Sequence, residues 1–466
     1  MPSRQDQLHS YQFMVQRVVA ALVMRETDPA QSPFRRGAGA TLASVLVAAI
    51  ALGAVGVYGV VVGGDSQRWR DTSAVIVEKE SGARFIYRDD KLHPVLNYAS
   101  GLLIIGSSRP KTVLVSRKSL EGVPRGTALG IQDAPDSLPA REQLVGAPWT
   151  VCSGAVTENG SSATRSMLYV GTEPSGGSPL GDKAVLARNA DDSYLIYRNR
   201  RHLVRDASTV LAALGWTSTR PVPVSSSLLN TLDVGRTLGR ISIDRRGAPS
   251  PVAVGAKIGQ VFVTELQGGG RQYAVAVQDG LAPITQVQAD IVLTDPRTAS
   301  RVGQTEPTEM SQSEFARAHK LPAIGVSGGT APSTTPDLAN TDGAICAVVH
   351  GDAGVSVVRT GVAVPDLSDA ARTASRTSSG AVLADYVFVE PGRGALVQAA
   401  NGPSAGGAIS VVTDLGQRYA VAGQAVQGML GYGEIRPVRL PASVVALLPS
   451  GPALDPEQAA APVAVR

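Results

Sequence analysis

The chain has little of what most catalytic sites are built from. Its 466 residues include five histidines and two cysteines. Two thiols cannot complete a four-ligand zinc site, and no C-x-x-C or H-E-x-x-H pattern recruits further ligands. No G-x-S-x-G elbow is present. A phosphate-cradling loop needs G-x-x-x-x-G-K-[ST]. The nearest stretch runs from Gly176 through Gly181 to Asp182 and Lys183, so Asp182 displaces the lysine and Ala184 stands where a hydroxyl should. A Ser/His/Asp triad divided along the chain stays open on sequence alone. One-signed charge is also missing. The formal net charge of +4 gives no reason to expect nucleic acid as a partner.

Aromatics are scarce, at 4%, whereas Gly (50) and Pro (30) are plentiful and 43% of residues are hydrophobic. That mixture predicts many short strands and turns rather than long helices. The length predicts several modules rather than one core.

One long apolar run breaks this pattern. Ala38–Val62 holds no charged side chain over twenty-five residues. As a helix, rising ~1.5 Å per residue, it crosses a ~30 Å hydrocarbon core with some tilt. A buried helix of a soluble protein and a cleaved signal peptide are the competing readings. The length of the run and the thirty-seven residues before it favour an uncleaved anchor. Arg25, Arg35 and Arg36 precede the span and Arg68 and Arg70 follow it, a modest asymmetry favouring the N-terminus inside. Gly53, Gly56 and Gly59 either admit a neighbouring helix closely or reflect ordinary glycine usage in membrane helices.

Before the span, Leu8, Tyr11, Val15, Val18, Val19 and Leu22 recur at helical spacing, and Asp28-Pro29 ends the pattern. Such a face must be covered, by a partner protein or by the membrane surface. The few basic residues opposite favour a protein.

Cys152 and Cys346 lie beyond the span, each in the first strand of an apparent hairpin. Asn159-Gly160 and Asp352-Ala353-Gly354 supply the turns. The cell exterior permits disulfides, and two thiols allow one pairing. Closing a loop of this length stabilises by on the order of 4–5 kcal/mol. A catalytic cysteine is the alternative.

Four segments share a plan of aromatic-led strand, turn, second strand and small helix: 84–105, 194–214, 271–293 and 417–448. Ile86-Tyr87-Arg88 matches Ile196-Tyr197-Arg198, and Tyr273-Ala-Val-Ala matches Tyr419-Ala-Val-Ala. The tripeptides at 93–95, 282–284 and 436–438 occupy one slot. His93 and His202 recur at nearly equivalent positions, which makes them part of the repeat rather than catalytic bases. Repeats one and two flank the Cys152 hairpin, and three and four flank the Cys346 hairpin, so two pairs hang from one body.

The predicted class is α+β: a single N-terminal transmembrane helix, then an elongated outer domain with four small α+β repeats around a central β-rich, disulfide-clamped body. Expected boundaries are a cytosolic helix (1–37), the span (38–62), linker and first repeat (63–135), and central body with Cys152 (136–189). The second repeat (190–235), third repeat (236–297) and an irregular connection (298–343) follow. The central body then resumes with Cys346 (344–405), before the fourth repeat and tail (406–466). No catalytic residue, cofactor or metal ligand is assigned.

Three motifs carry a family resemblance: DQLHSYQFMVQRVVAALVMRETDP (6–29) followed by PFRR, GVPRGTALGIQDAPDSLP (122–139), and VFVEPGRGALV (387–397). With them the chain resembles the EccB subunit of type VII (ESX) secretion systems over nearly its whole length. It departs in an interrupted fourth repeat and a short Gly-rich stretch at 401–407. The resemblance implies a subunit of an inner-membrane core complex beside the EccC motor ATPase, EccD and EccE. It also implies an outer domain that self-associates near the mycosin protease. Some family members are described as ATPases. With no nucleotide site recognisable, the expected role is structural. An envelope ATPase or hydrolase and an anchored peptidoglycan-binding module are the alternatives.

Overall fold

The computed structural model describes residues 3–25, 33–63, 67–158, 160–324, 330–402 and 406–463. The chain divides into two units, the smaller holding residues 1–71, 78–80 and 114–122 and the larger the remainder.

In the smaller unit, a first helix runs Arg4–Met24. Ser3 caps it, accepting from the Asp6 amide while the Asp6 carboxylate returns to the Ser3 amide. It stops at Arg25, which adopts a left-handed conformation (φ 54°); Asp28 and Pro29 lie outside the described residues. A second helix runs Pro33–Gly63, and its segment Gly37–Val57 is apolar and exposed throughout. The polar side chains within it are satisfied internally. Thr41 Oγ1 donates to Gly37 O (3.1 Å), and Ser44 Oγ to Thr41 O (2.9 Å). A helix bound for lipid needs this, because hydrocarbon offers no partners.

The larger unit contains four sheets built on one plan. Three antiparallel strands form a meander, and a helix follows the third. A fourth strand then lies at the far edge, so the order is third, second, first, fourth, and the second repeat adds Asp233–Val234 outside its third strand. In the second repeat the meander strands are Ala184–Asn189, Asp192–Tyr197 and Arg200–Val204, followed by the helix Ala207–Ala213. Its fourth strand, Val222–Pro223, runs parallel to the first. The third repeat uses Val261–Glu265, Arg271–Val277, Gly280–Ile284 and the helix Gln286–Thr294, with Thr308–Glu309 as the parallel fourth strand.

The fourth repeat corrects the sequence reading. Its meander is Ala395–Ala400, Ile409–Val412 and Arg418–Val421. Tyr419 is therefore on a third strand, whereas Tyr273 is on a middle strand. Val438 opens the parallel fourth strand Val438–Pro441, not the slot of His93-Pro-Val or Ala282-Pro-Ile. A period of two fits any strand of a meander, so the matched tetrapeptides were one strand out of phase. The apparent interruption is the helix Gln424–Met429 in its ordinary place. The first three repeats open one strand before the aromatic-led one and the fourth opens two before it, so Ala184–Asn189 and Ala395–Ala400 belong to repeat sheets, not the central body. The stretch expected to be irregular, 298–343, contains the third repeat's fourth strand and the helix Gln312–Arg317, elements too short to leave a periodic signature.

Between the repeats lies a seven-stranded sheet. The hairpins Trp149–Glu158/Ser161–Tyr169 and Ala344–Gly351/Gly354–Val362 meet through their first strands at its middle. One face of this sheet carries Trp149, Val151 and Val349 against Val397, Leu440 and Val444 of the fourth repeat. The same face sets Ile345 and Ala347 against Val185, Ile196 and Leu228 of the second. The first repeat packs on the fourth (Leu102 and Leu103 with Leu396, Val411 and Tyr419). The third packs on the second (Val287 and Ile291 with Val210 and Leu214). In space the pairs are thus one with four and two with three, not the order along the chain. Which outer face a repeat leaves apolar, rather than sequence proximity, decides its partner.

Candidate functional site

The two cysteines come together at the seam of the central sheet. Cys346 sits directly opposite Cys152 on the neighbouring antiparallel strand, and their sulfurs are bonded across 194 residues of chain. Alternation along the strands turns both onto the face away from the repeats, among Met167, Ala344, Val362 and Tyr386. Tyr169 stacks on Phe388 there, with ring centroids 4.6 Å apart, and its burial pushes its hydroxyl up to about 12. Beside the turn of the first hairpin, Glu158 accepts from Arg165 Nη2 (2.8 Å) and from the Tyr386 hydroxyl. These bonds hold its carboxyl below the usual range. The sequence offered no signal for the Tyr386–Glu158 contact, because the two residues lie 228 apart along the chain. Asn159, half of the expected turn, lies outside the described residues.

The second candidate surface is the first helix. Its face is uncovered, from 36% exposed at Val19 to 74% at Leu22, with Leu8, Tyr11, Val15 and Val18 between. Phe13 and Met14, outside the face read from sequence, are exposed as well, so apolar surface extends around the helix.

The histidines do not converge. His93 and His202 occupy the same position on the third strands of repeats one and two. His93 Nδ1 lies 3.0 Å from Thr127 O, and His202 Nδ1 lies 2.8 Å from Arg236 O. Each ring fills the space over a glycine, where an added Cβ would sit 2.2 Å from His93 at Gly126 and 2.3 Å from His202 at Gly235. His350 contacts Ser356 (2.8 Å) and faces Glu173 (3.8 Å). The glycine stretch nearest in sequence to a phosphate loop is an exposed edge strand, Gly176–Pro179, paired with Gly354–Val362. Asp182 beyond it accepts from Arg198 Nε (2.9 Å). Backbone committed to a ladder cannot wrap a phosphate. Among the described residues no three His, Cys, Asp or Glu side chains are grouped closely enough to hold a metal ion.

Known proteins share this architecture. The chain is 28% identical to the "ESX-3 secretion system ATPase EccB3" of Mycobacterium tuberculosis, covering 96% of this chain and 87% of that protein. It is 29% identical to the "ESX-5 secretion system ATPase EccB5" of the same organism, over 97% of this chain and 92% of the relative. Among solved structures it resembles a chain of an intact ESX-5 inner membrane complex, with a TM-score of 0.68 at 26% identity over 100% of this chain and 96% of the other. It also resembles the EccB3 dimer from the ESX-3 core complex, with a TM-score of 0.62 over 83% of this chain and 100% of that one. The family model described as "Type VII secretion system ESX-1, transport TM domain B" matches residues 1–464. An apolar helix, four repeat sheets and a disulfide-bonded centre, matched end to end in this way, show that the chain belongs to the EccB family of type VII secretion systems.

Proposed function

We propose that this chain is a non-catalytic, membrane-anchored structural subunit of a type VII secretion core complex. One observation carries the reading. A helix long and apolar enough to cross a bilayer joins an uncovered apolar helix to a large disulfide-bonded domain. Disulfides persist in oxidising compartments, which supports an extracytoplasmic large domain and a cytosolic first helix. Arg25, Arg35 and Arg36 before the span agree. The related ESX-5 inner membrane complex and ESX-3 dimer support an inner-membrane location and self-association through the outer domain. On the cytosolic side the first helix docks on EccC, EccD or EccE, the partners the family supplies; outside, the mycosin protease is the neighbour.

A reporter active only outside the cytosol, fused after Arg466, is expected to be active, and the tagged chain is expected to co-purify with membrane proteins rather than with sacculi. Silence from a correctly folded fusion overturns the topology. The relatives' names include ATPase activity. ATP turnover by the purified chain above background overturns the non-catalytic role without touching the topology.

A further inference from the structure

The connection from the third repeat to the central body carries the run Thr330-Ala-Pro-Ser333-Thr334-Thr335-Pro336, to which the structural role gives no part. Pro332 and Pro336 are buried, and Ser333, Thr334 and Thr335 between them are exposed. The fixed φ of each proline, and the bias it places on the residue before it, keep such a stretch extended. Both of its ends are pinned. Val287 N donates to Ser333 O (3.2 Å) and Ala184 N to Asp337 O (2.8 Å), while Ala331 and Leu338 pack on the core joining the second and third repeats. Three hydroxyls thus stand on a held, extended backbone, and none of the three has a hydrogen bond among the described residues.

The other Ser/Thr-rich run, 373–379, makes the contrast. Thr373 Oγ1 donates to Ala384 O (2.5 Å), Ser375 Oγ donates to Asp385, and Thr377 Oγ1 lies 2.9 Å from Ser379 Oγ. Those hydroxyls are tied into the fold, and no proline punctuates that run. Free hydroxyls between prolines are therefore not the general condition of Ser/Thr-rich sequence in this chain.

Beside Thr334 lies a hollow of about 470 Å³. Tyr273 and Ile284, opposite one another on neighbouring strands, give it an apolar wall, and Arg271, Gln272 and Gln286 ring it with donors. The Tyr273 hydroxyl has no partner among the described residues. A sugar ring suits such a place: its C–H face rests on the negative face of an aromatic ring while its hydroxyls take hydrogen bonds from the rim. The volume is that of a small-molecule site.

We infer that Thr334 is an O-glycosylation site whose hexose lies in the hollow beside Tyr273. Ser/Thr runs punctuated by proline are characteristic O-linked acceptors. The donor is a hexose carried on a polyprenyl phosphate, and a membrane glycosyltransferase is the catalyst. Thr334 Oγ1 attacks C1 of the hexose, and the bond from C1 to the phosphate oxygen breaks. Polyprenyl phosphate leaves with the electron pair, and the hydroxyl proton passes to the transferase's base. The inference rests on the extracytoplasmic placement of the large domain proposed above, where sugar donors are lipid-linked.

The test uses the full chain purified from the membranes of its native cell, then reduced and digested. The peptide bearing 330–336 is expected to be heavier than its sequence by whole hexose units, with fragment ions placing the first on Thr334. Thr334→Val keeps the shape, removes the hydroxyl and loses that increment. Thr377→Val, in the bonded run, keeps it. Exoglycosidase is expected to release the hexose more slowly from the folded chain than from the denatured one, because the hollow shields it. A peptide of unmodified mass, with an active reporter after Arg466, overturns the inference and leaves the topology standing. A silent reporter removes both. An increment that survives Thr334→Val overturns the assignment to this residue, and equal release from folded and denatured chain overturns the seat beside Tyr273.

Discussion

The repeat imposes a complementary pair on each third strand and the segment returning beside it. His93 with Gly126, His202 with Gly235 and Tyr419 with Gly451 all set a ring over a glycine. In the third repeat the equivalent positions hold Ala282 and Leu321, small on the strand and large on the return. The recurrence of His93 and His202 was legible in sequence; the glycine was not, because it lies over thirty residues downstream. Gly235→Ala therefore drives a methyl into the His202 ring, and a loss of roughly 1–3 kcal/mol is expected in chemical denaturation. A variant as stable as the wild type would show that the ring can swing aside. His202 also predicts a pH dependence. Burial lowers its pKa below the ordinary 6.5 despite its backbone hydrogen bonds. The unfolded chain then binds a proton that the folded chain refuses. Stability from this site is complete above pH 6.5 and falls as the pH drops below that value towards the depressed one. His202→Asn should flatten that part of the melting-temperature profile, and identical slopes in the two proteins would remove His202 as the cause.

Elements differed in how plainly the sequence announced them. The two N-terminal helices declared themselves through an unbroken apolar run and a sustained helical period, signals that need no tertiary context. The repeat strands were visible as strands but not as ordered members of a sheet. Two-residue elements such as Thr308–Glu309, which exist only through their neighbour's ladder, could not be seen at all. The first helix is the element whose role most needs testing. Its uncovered side chains each forfeit roughly 1.5–3 kcal/mol relative to full burial, which a partner surface restores. Val15→Asp with Val19→Asp is expected to release the subunit from the large complex on native gels and to stop secretion, with membrane insertion preserved because the span is untouched. An intact complex with normal secretion would move the helix to the membrane surface instead.

For the whole molecule, the disulfide was readable from composition, whereas the crossed pairing of repeats was not. Two thiols admit one bond, but which apolar faces meet depends on shapes that no single stretch of sequence encodes. Because the bond joins strands 194 residues apart, replacing both cysteines by serine should cost on the order of 4–5 kcal/mol by loop-closure reasoning, read as a lower denaturation midpoint. Labelling of the denatured, unreduced wild type should find no free thiol, and two labelled sites per chain would refute the bond.

The packing of the first repeat on the fourth sets a schedule for making the protein. Tyr432 donates its hydroxyl to Pro139 O across 293 residues, and Leu454 and Ala459 complete the core around Leu102 and Leu103. A chain emerging N-terminus first lacks those partners until the fourth repeat has followed, 293 residues after Pro139 in the case of Tyr432. At roughly 5–20 residues per second, the delay is on the order of 15–60 s. For that interval the earliest-made repeat presents bare apolar surface, so the growing chain depends on being shielded from aggregation until its fourth repeat arrives.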